Sequence, residues 1–286
     1  MYVVAGATGR VGSVTAESLL SAGASVRVLV RRSEDAQTWR SRGAKARAVS
    51  LDDRLALGSA LEGCSGFFVL LPFDLTADDL DAHADRLISS IVGAVADQDV
   101  PHVVMLSSGG ADLAKGTGPI TGLHRMEQAI LTTGTILTAL RSGHFQEKVT
   151  DVIDVVRESG VYPVFASSAN TPLPMVATHD IGAVAANALL SPPLSNETVD
   201  VIGPAYTESE VATVLGEALG RELHVATIPQ DAWAGALSEA GFRPHVAESL
   251  AELYRADEQG LLAPRGDRCI HVSTTVATTI DRVLPA

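Results

Sequence analysis

Three glycines at intervals of three residues separate a short apolar segment from a stretch with helical periodicity. The apolar segment 2–5 is typical of a strand, and after Gly6, Gly9 and Gly12 apolar residues recur at helical spacing until Gly23. In such a turn one glycine permits a tight bend, another lets a ligand approach the backbone, and the third lets helix and strand pack together. Outward-facing amides at the start of the helix attract phosphate. The pattern predicts a dinucleotide site, with a merely structural turn as the alternative; the predicted contacts are Gly6, Thr8, Gly9, Arg10, Val11 and Gly12.

Strand-like and helix-like segments alternate through the first half of the chain. The predicted strands cover residues 2–5, 25–30, 46–49, 67–71, 102–106 and 135–140. The predicted helices include residues 76–97 and a helix ending at Leu61 that either Asp52 or Asp53 caps. This alternation predicts an α/β fold, a Rossmann-like doubly wound parallel sheet with helices on both faces. We expect residues 1–150 to form this dinucleotide-binding domain.

The pattern changes in the second half. Prolines interrupt a loop-rich stretch at positions 163, 172 and 174, and the predicted elements that follow are helices 180–190 and 208–219 and strands 198–202 and 223–227. We expect residues 151–286 to form a smaller C-terminal α/β lobe that binds substrate, with some of its segments returning to the first sheet.

Charge and composition disfavour several classes of protein. The net charge of −13 argues against a nucleic-acid partner, because binding a polyanion requires basic surfaces. No apolar run approaches the length of a membrane span, and the first residues lack the features of a signal peptide, so we expect a cytoplasmic protein with no membrane partner. Cys64 and Cys269 lie in no metal-binding spacing, and we predict no metal site.

The residues at the end of the second predicted strand indicate which dinucleotide the site prefers. An NAD site carries an acidic residue there, which accepts hydrogen bonds from the ribose 2′-hydroxyl. This chain has Arg31 and Arg32 instead, with no acidic residue before Glu34. A guanidinium can hold a 2′-phosphate that a carboxylate would repel. We therefore expect NADP(H) rather than NAD(H); the alternative is that both arginines are simply solvated.

Several short motifs follow the glycine turn and Arg31 in a defined order. They are Ser-Ser-Gly at 107–109, Leu-Arg-Ser-Gly-His-Phe at 140–145, Ala-Thr-His-Asp-Ile-Gly-Ala at 177–183 and Val-Ile-Gly-Pro-Ala at 201–205. Over nearly the whole chain this order resembles the NmrA-like branch of the atypical short-chain dehydrogenase/reductases. The resemblance implies a Rossmann domain and a small C-terminal lobe with a substrate cleft between them. The family includes quinone reductases, reductases of secondary metabolism and non-catalytic NADP(H) sensors.

One departure from the wider superfamily limits what the resemblance implies. Short-chain dehydrogenases usually carry a Tyr-x-x-x-Lys pair, in which the tyrosine is the general acid. The tyrosines here stand at positions 2, 162, 206 and 254, and none has lysine four residues later. The matching helix carries His124 and no tyrosine. The usual proton donor is therefore absent.

Candidate proton donors and substrate contacts lie at predicted strand ends and on the helix that carries His124. His144 and Phe145 follow the sixth strand, where the resemblance implies a nicotinamide and substrate pocket. His124 shares the polar side of its predicted helix with Glu127, as a proton donor or a surface residue. The candidate catalytic residues are His144, His124 and Ser107, and the candidate substrate contacts are Ser108, His144 and Phe145.

The resemblance also implies further cofactor contacts. Ser107 and Ser108 are candidate cofactor contacts, and one of the two is expected to face the nicotinamide. The glycines directly after them suggest a close backbone approach, although a plain turn explains them too. Asp52 resembles the residue that contacts the adenine amino group, with a helix cap as its competing role. Leu71 and Pro72 are expected to flank the adenosine. For His179 and Asp180 we predict an N-terminal helix cap rather than a metal site.

Two functions are compatible with these features. The first is an NADPH-dependent reductase acting on a small hydrophobic carbonyl compound, quinone or enone as a monomer or homodimer. The alternative is a non-catalytic NADP(H)-sensing regulatory protein of the NmrA-like type, to which the missing Tyr-x-x-x-Lys pair points.

Overall fold

An eight-stranded sheet forms the centre of the molecule, and every pair of neighbouring strands in it is parallel. The structure is a computed structural model that describes residues 1–284. The first six strands of the sheet are β1 (Tyr2–Val4), β2 (Val26–Val30), β3 (Lys45–Ala48), β4 (Gly66–Leu70), β5 (His102–Ser108) and β6 (Ile136–Ser142). The last two are β10 (Glu197–Ile202) and β13 (Arg268–His271). The strand order is β13-β10-β6-β5-β4-β1-β2-β3. All carboxyl ends therefore lie along one edge of the sheet.

Helices cover both faces of this sheet. Because side chains alternate along a strand, Val3 faces one helical layer and Val4 the other. The layer on the Val3 side consists of α3 (Arg54–Leu61), α4 (Leu80–Asp97) and α5 (Ile120–Leu131). The opposite layer consists of α1 (Arg10–Ser21), α2 (Ser33–Ser41) and α7 (Thr178–Leu190). The predicted doubly wound α/β fold is confirmed.

A third hydrophobic core belongs to the smaller lobe. The strands of this lobe are β7 (His144–Phe145), β8 (Val161–Val164), β9 (Leu173–Val176), β11 (Ala205–Tyr206) and β12 (His224–Thr227). Its helices are α6 (Ile153–Ser159), α8 (Glu208–Leu219), α9 (Trp233–Glu239), α10 (Pro244–Glu258) and α11 (Val276–Val283). The 3₁₀ turns Gln146–Asp151 and Gln230–Ala232 connect parts of the lobe. The segments α7, β10 and β13 lie past residue 150 yet pack on or pair within the main sheet, while the division at residue 150 stays a prediction.

Two predicted helix starts were wrong. The helix expected from residue 76 begins at Leu80, because the Asp79 carboxylate accepts the Ala82 amide and caps the helix there. The helix expected to begin at Asp180 starts two residues earlier, at Thr178. Asp180 is therefore not a cap; it accepts hydrogen bonds from the amide and hydroxyl of Thr274 and holds the C-terminal segment.

Candidate functional site

The glycine turn has the close contacts that its spacing predicts. Gly6 has a φ of +65°, a left-handed conformation that favours glycine, and a side chain there would also press on Leu70. A Cβ at Gly12 would overlap the carbonyl oxygen of Gly6. Gly9 caps α1 without a side chain, and the first turn of α1 contains no acidic residue. The first amides of α1 are left for an external anion.

A cleft of about 570 Å³ opens over this turn. We call it the glycine-turn cleft. Of the predicted cofactor contacts it is lined by Gly6, Thr8, Gly9, Arg31, Asp52 and Pro72. Sequence reasoning missed Ser50, Leu51, Phe73 and His83, which also line it. Ser50 and Leu51 lie two and three residues after the end of β3, so their position near a strand end was the available signal. His83 comes from α4, and no local pattern marks it.

The two neighbouring arginines after β2 differ in their surroundings. Arg31 lines the glycine-turn cleft, is exposed, and forms no ion pair with any described residue. Arg32 points elsewhere, because its guanidinium binds both carboxylate oxygens of Asp35 and lies 3.5 Å from Glu34. The structure therefore separates two residues that the sequence treated alike.

Asp52 and Asp53 also have different surroundings. Asp53 accepts the Ala56 amide and is the cap of α3, so Asp52 is not the cap. Asp52 is exposed at the rim of the glycine-turn cleft. Leu71 and Pro72 differ too, because Pro72 lines the cleft whereas Leu71 is buried in the core between the sheet and α3–α5.

The other three predicted contacts of the turn, Arg10, Val11 and Gly12, do not line the cleft. Arg10 reaches the smaller lobe, where its guanidinium donates a hydrogen bond of 2.7 Å to the Thr150 hydroxyl. The Val11 side chain is buried in the layer that contains α1 and α7. Any ligand contact of these residues would involve their backbone amides.

Ser107 belongs to a buried polar cluster. Its hydroxyl donates to the Glu127 carboxylate at 2.5 Å, and Arg141 binds the same carboxylate through two nitrogens. The three side chains are buried. Glu127 therefore faces inward, contrary to the polar helix face expected for it, and the Ser107 hydroxyl proton is already engaged. Ser108 is partly buried and donates at 3.3 Å to the carbonyl oxygen of Ser142.

His124 is half-buried near the start of α5. Its Nδ1 lies 2.9 Å from the carbonyl oxygen of Ala111. Because a carbonyl oxygen only accepts, Nδ1 carries the hydrogen of this bond. Neutral His124 thus has an accepting Nε2 and can donate from that nitrogen only when it is protonated.

His144 stands between two cavities at the carboxyl end of β6. One cavity of about 500 Å³ extends into the smaller lobe, and one of about 230 Å³ covers Gly109 and Gly143 at the ends of β5 and β6. Leu173 and Asp257 line both cavities together with His144. We call the two together the His144 cavities. Phe145, next in the chain, pairs with Val176 and packs against the sheet core.

Aromatic side chains form one wall of the larger cavity. Phe165 and Tyr254 have ring centroids 5.2 Å apart, and Trp233 meets Tyr254 edge-on at 5.9 Å. Tyr162 also lines this cavity, and burial beside Glu208 raises the pKa of its hydroxyl, which donates to the Glu208 carboxylate. Burial likewise raises the pKa of Tyr254. Sequence reasoning missed these residues because β8, the following loop and α10 meet only in the folded chain.

Residues 1–284 contain neither a candidate metal centre nor a helix suited to crossing a membrane. No cluster of three or more histidine, cysteine or acidic side chains is arranged to hold a metal ion. None of the helices in that part of the chain has the length and apolar character needed to cross a membrane.

Solved structures share this fold over their whole length. A triphenylmethane reductase from Citrobacter sp., complexed with NADP(H), is 22% identical with a TM-score of 0.81, over 99% of this chain and 100% of that one. An NADPH-dependent quinone oxidoreductase from Escherichia coli, complexed with NADPH, is 20% identical with a TM-score of 0.79, over 99% of both chains. A nucleoside-diphosphate-sugar epimerase from Staphylococcus aureus is 16% identical with a TM-score of 0.79, over 98% of this chain and 99% of that one.

Sequence comparison gives a more specific result. Curated protein sequences contain no match to this chain. The model of the NmrA-like family matches residues 2–283. Because that match spans nearly every residue, the chain belongs to the NmrA-like family, as its ordered motifs predicted.

Proposed function

We propose that the chain is an NADPH-dependent reductase that transfers a hydride to a small hydrophobic carbonyl compound, quinone or enone without a Tyr-x-x-x-Lys pair. The observation that carries this proposal is the position of two recesses along one edge of a parallel sheet. The glycine-turn cleft lies at the ends of β1–β4, and the His144 cavities lie at the end of β6. Ligands of open α/β sheets bind along this edge.

The residues of the glycine-turn cleft fit NADP(H) better than NAD(H). The uncapped first turn of α1 is suited to the pyrophosphate, and Gly6 and Gly12 permit the tight packing of the turn against Leu70 and of α1 against the turn. Arg31 is available for a 2′-phosphate, and Asp52 and Pro72 line the adenosine side. Membership of the NmrA-like family and the NADPH and NADP(H) complexes of the similar structures support this choice.

The His144 cavities are the proposed site of the acceptor. A bound NADPH supplies the hydride there, and the chain binds and orients the acceptor and excludes water. We assign His144 as proton donor, and Phe165 and Tyr254 as the aromatic wall against which a flat acceptor packs. Ser108 and Phe145 remain proposed contacts on the sheet side. His124 ranks below His144 because a neutral carbonyl, rather than a carboxylate, accepts its ring hydrogen.

An NADP(H)-sensing regulatory role is the second candidate. This role is favoured by α5, which carries no tyrosine that could donate a proton. The Glu127 carboxylate of α5 is already engaged by Arg141 and Ser107. A sensor needs the glycine-turn cleft but no proton donor.

The two functions differ in whether NADPH is consumed. Purified protein is incubated with NADPH and a panel of quinones, enones and hydrophobic aldehydes, and the absorbance of the reduced nicotinamide is followed. We expect consumption with at least one acceptor, and direct titration should show tighter binding of NADPH than of NADH. Tight NADPH binding without consumption across the panel contradicts the reductase and supports the sensor. Absence of NADPH binding contradicts both.

A further inference from the structure

The His144 ring is held by a carboxylate that lies 113 residues away in the chain. His144 Nε2 and Asp257 Oδ2 are 2.9 Å apart, and both side chains are about four-fifths buried, with 19% and 22% of their surfaces exposed. Asp257 belongs to α10, whereas His144 belongs to β7. Two elements of the smaller lobe thus bring an imidazole and a carboxylate together at the wall of both His144 cavities.

The direction of this hydrogen bond determines which ring nitrogen is available. A carboxylate oxygen accepts, so Nε2 carries the hydrogen and Nδ1 is the nitrogen left for another partner. No other described residue makes a hydrogen bond to the His144 ring. When the imidazole is protonated, the pair is a short ion pair and Nδ1–H is the donor that remains.

The helix that carries Asp257, α10, packs against several other elements. Its Tyr254 packs on Phe165 and Trp233, and Glu258 accepts a 2.9 Å hydrogen bond from the Ser167 hydroxyl. On its other side Gly118 approaches so closely that a Cβ there would overlap the Ser249 carbonyl oxygen. Asp257 lies one residue before the end of a helix supported on both sides.

The position of Asp257 in that helix is electrostatically unfavourable. The last turn of a helix presents partly negative carbonyl groups, which favour basic residues. A carboxylate here is stabilised when a positive charge faces it, and a protonated His144 meets that requirement. A purely structural contact does not need an acid at this place.

We propose that Asp257 is a positioning residue that holds His144 with Nδ1 toward the acceptor, so that His144 delivers the proton in the reduction of neutral acceptors. This inference rests on the proposed reductase function. In the reaction the hydride forms a C–H bond on the acceptor carbon, and the electron pair of the C=O bond, or of the conjugated system, moves to oxygen. The Nδ1–H bond breaks as its proton passes to that oxygen, and solvent then reprotonates Nδ1. NADPH is oxidised and the acceptor is reduced by two electrons.

A comparison of two kinds of acceptor tests this role. A neutral enone needs one hydride and one proton, whereas a cationic triarylmethane dye needs the hydride alone and becomes a neutral product. We expect His144→Gln to lower kcat on the enone by about 100-fold or more. Asp257→Asn, which keeps the shape and removes the charge, should lower it by about 10-fold or more with little change in KM. Both variants should lose clearly less activity on the dye than on the enone, because the dye takes up no proton.

Two further variants complete the kinetic test. The double variant should be no slower on the enone than His144→Gln alone, because Asp257 acts through His144. Asp97→Asn is the matched control: its carboxylate also pairs with a basic side chain, Arg54, but at the far end of α4, and its rates should stay at the wild-type level. Equal losses on enone and dye, or an unchanged enone rate in Asp257→Asn, would overturn the proposal.

A second measurement separates failure of this inference from failure of the proposed function. Long-range ¹H–¹⁵N NMR of the histidine rings reports which nitrogen of His144 carries the hydrogen without any turnover. In spectra recorded at a pH high enough for the ring to carry a single hydrogen, we expect the Nε2–H form in wild type and a smaller share of it in Asp257→Asn, while the Nδ1–H form in wild type overturns the inference. A wild type that shows Nε2–H but consumes no NADPH with any acceptor contradicts the reductase and, with it, the proton-delivery role.

Discussion

At the scale of single residues, chemically identical neighbours have different surroundings. Arg31 and Arg32 are adjacent, yet Arg31 borders the glycine-turn cleft and Arg32 is bound by Asp35. Asp52 and Asp53 differ similarly, because only Asp53 is engaged as a helix cap. A side chain already bound within the chain has to break that contact before it binds a ligand, so Arg31 and Asp52 are the better candidates for recognition.

The Arg31 assignment predicts a selective loss of NADPH binding. Arg31→Ala should weaken NADPH binding by about 10–100-fold, since a hydrogen bond to a charged group contributes about 1.5–3 kcal/mol. NADH binding should hardly change, because NADH lacks the 2′-phosphate. Calorimetric titration of both dinucleotides gives the two dissociation constants.

Arg32→Ala is the comparison for this experiment. It removes the same charge from the neighbouring position, whose side chain is tied to Asp35, and should weaken NADPH binding less than Arg31→Ala does. Equal weakening of NADPH and NADH binding by Arg31→Ala would show that the residue does not recognise the phosphate.

At the scale of elements, close helix packing connects the C-terminal half to the glycine turn. Gly182 of α7 lies against α1, where an added Cβ would lie 2.6 Å from the Val14 Cβ and 2.8 Å from the Val11 carbonyl oxygen. The Thr15 hydroxyl donates to both the Val11 and the Gly182 carbonyl oxygens. The glycine in the 177–183 motif therefore has a packing role: it lets α7 support the helix that follows the turn.

This contact predicts opposite effects for two glycine substitutions within helices. Gly182→Ala should lower the free energy of unfolding by about 1–3 kcal/mol, because the methyl group overpacks the contact with α1. Gly235→Ala in α9 should raise it by up to about 1 kcal/mol, because no atom lies within 4 Å of its added Cβ and alanine favours the helix. Urea denaturation measures both. The packing account is wrong if Gly182→Ala is as stable as wild type.

At the scale of the whole molecule, an ion pair adds to the backbone pairing of the last strand with the main sheet. Arg268 of β13 binds both carboxylate oxygens of Glu197 of β10. Glu197 also accepts from Thr138 of β6, so one carboxylate connects three neighbouring strands at the amino edge of the sheet. The stability of the folded chain therefore depends on the charge of Glu197.

Acid should weaken this connection. The hydrogen bond from Arg268 lowers the pKa of Glu197 from its ordinary value of 4.5. A carboxylate with a lowered pKa stabilises the fold above its ordinary pKa, and that stabilisation is lost as the pH falls through the lower value. Glu197→Gln should thus be less stable than wild type at neutral pH, and the difference should shrink below about pH 4.5.

Urea denaturation between pH 7 and pH 3 measures this change. Glu239→Gln, an exposed residue of α9 with no hydrogen bond or ion pair within residues 1–284, should follow wild type over the whole range. A Glu197→Gln curve parallel to wild type below pH 4.5 would rule out the proposed contribution.

The sequence by itself determined the first six strands of the main sheet and the conformation of the glycine turn. Both depend on local patterns: strand and helix periodicities within short windows, and glycines whose spacing has a steric reason at Gly6 and Gly12. Boundaries were less certain, because caps such as Asp53 and Asp79 compete with other acidic residues a few positions away.

Only the tertiary structure decided which polar residues meet. The contact of His144 with Asp257 spans 113 residues, and that of Ser107 with Glu127 depends on how α5 packs on β5. Glu127 has the spacing of an exposed helix residue, but Arg141 from β6 neutralises it in the interior. Such pairings depend on the relative placement of distant elements, and no local periodicity contains that information. The glycine turn predicted where a dinucleotide binds, whereas the fold determined which histidine is paired with a carboxylate.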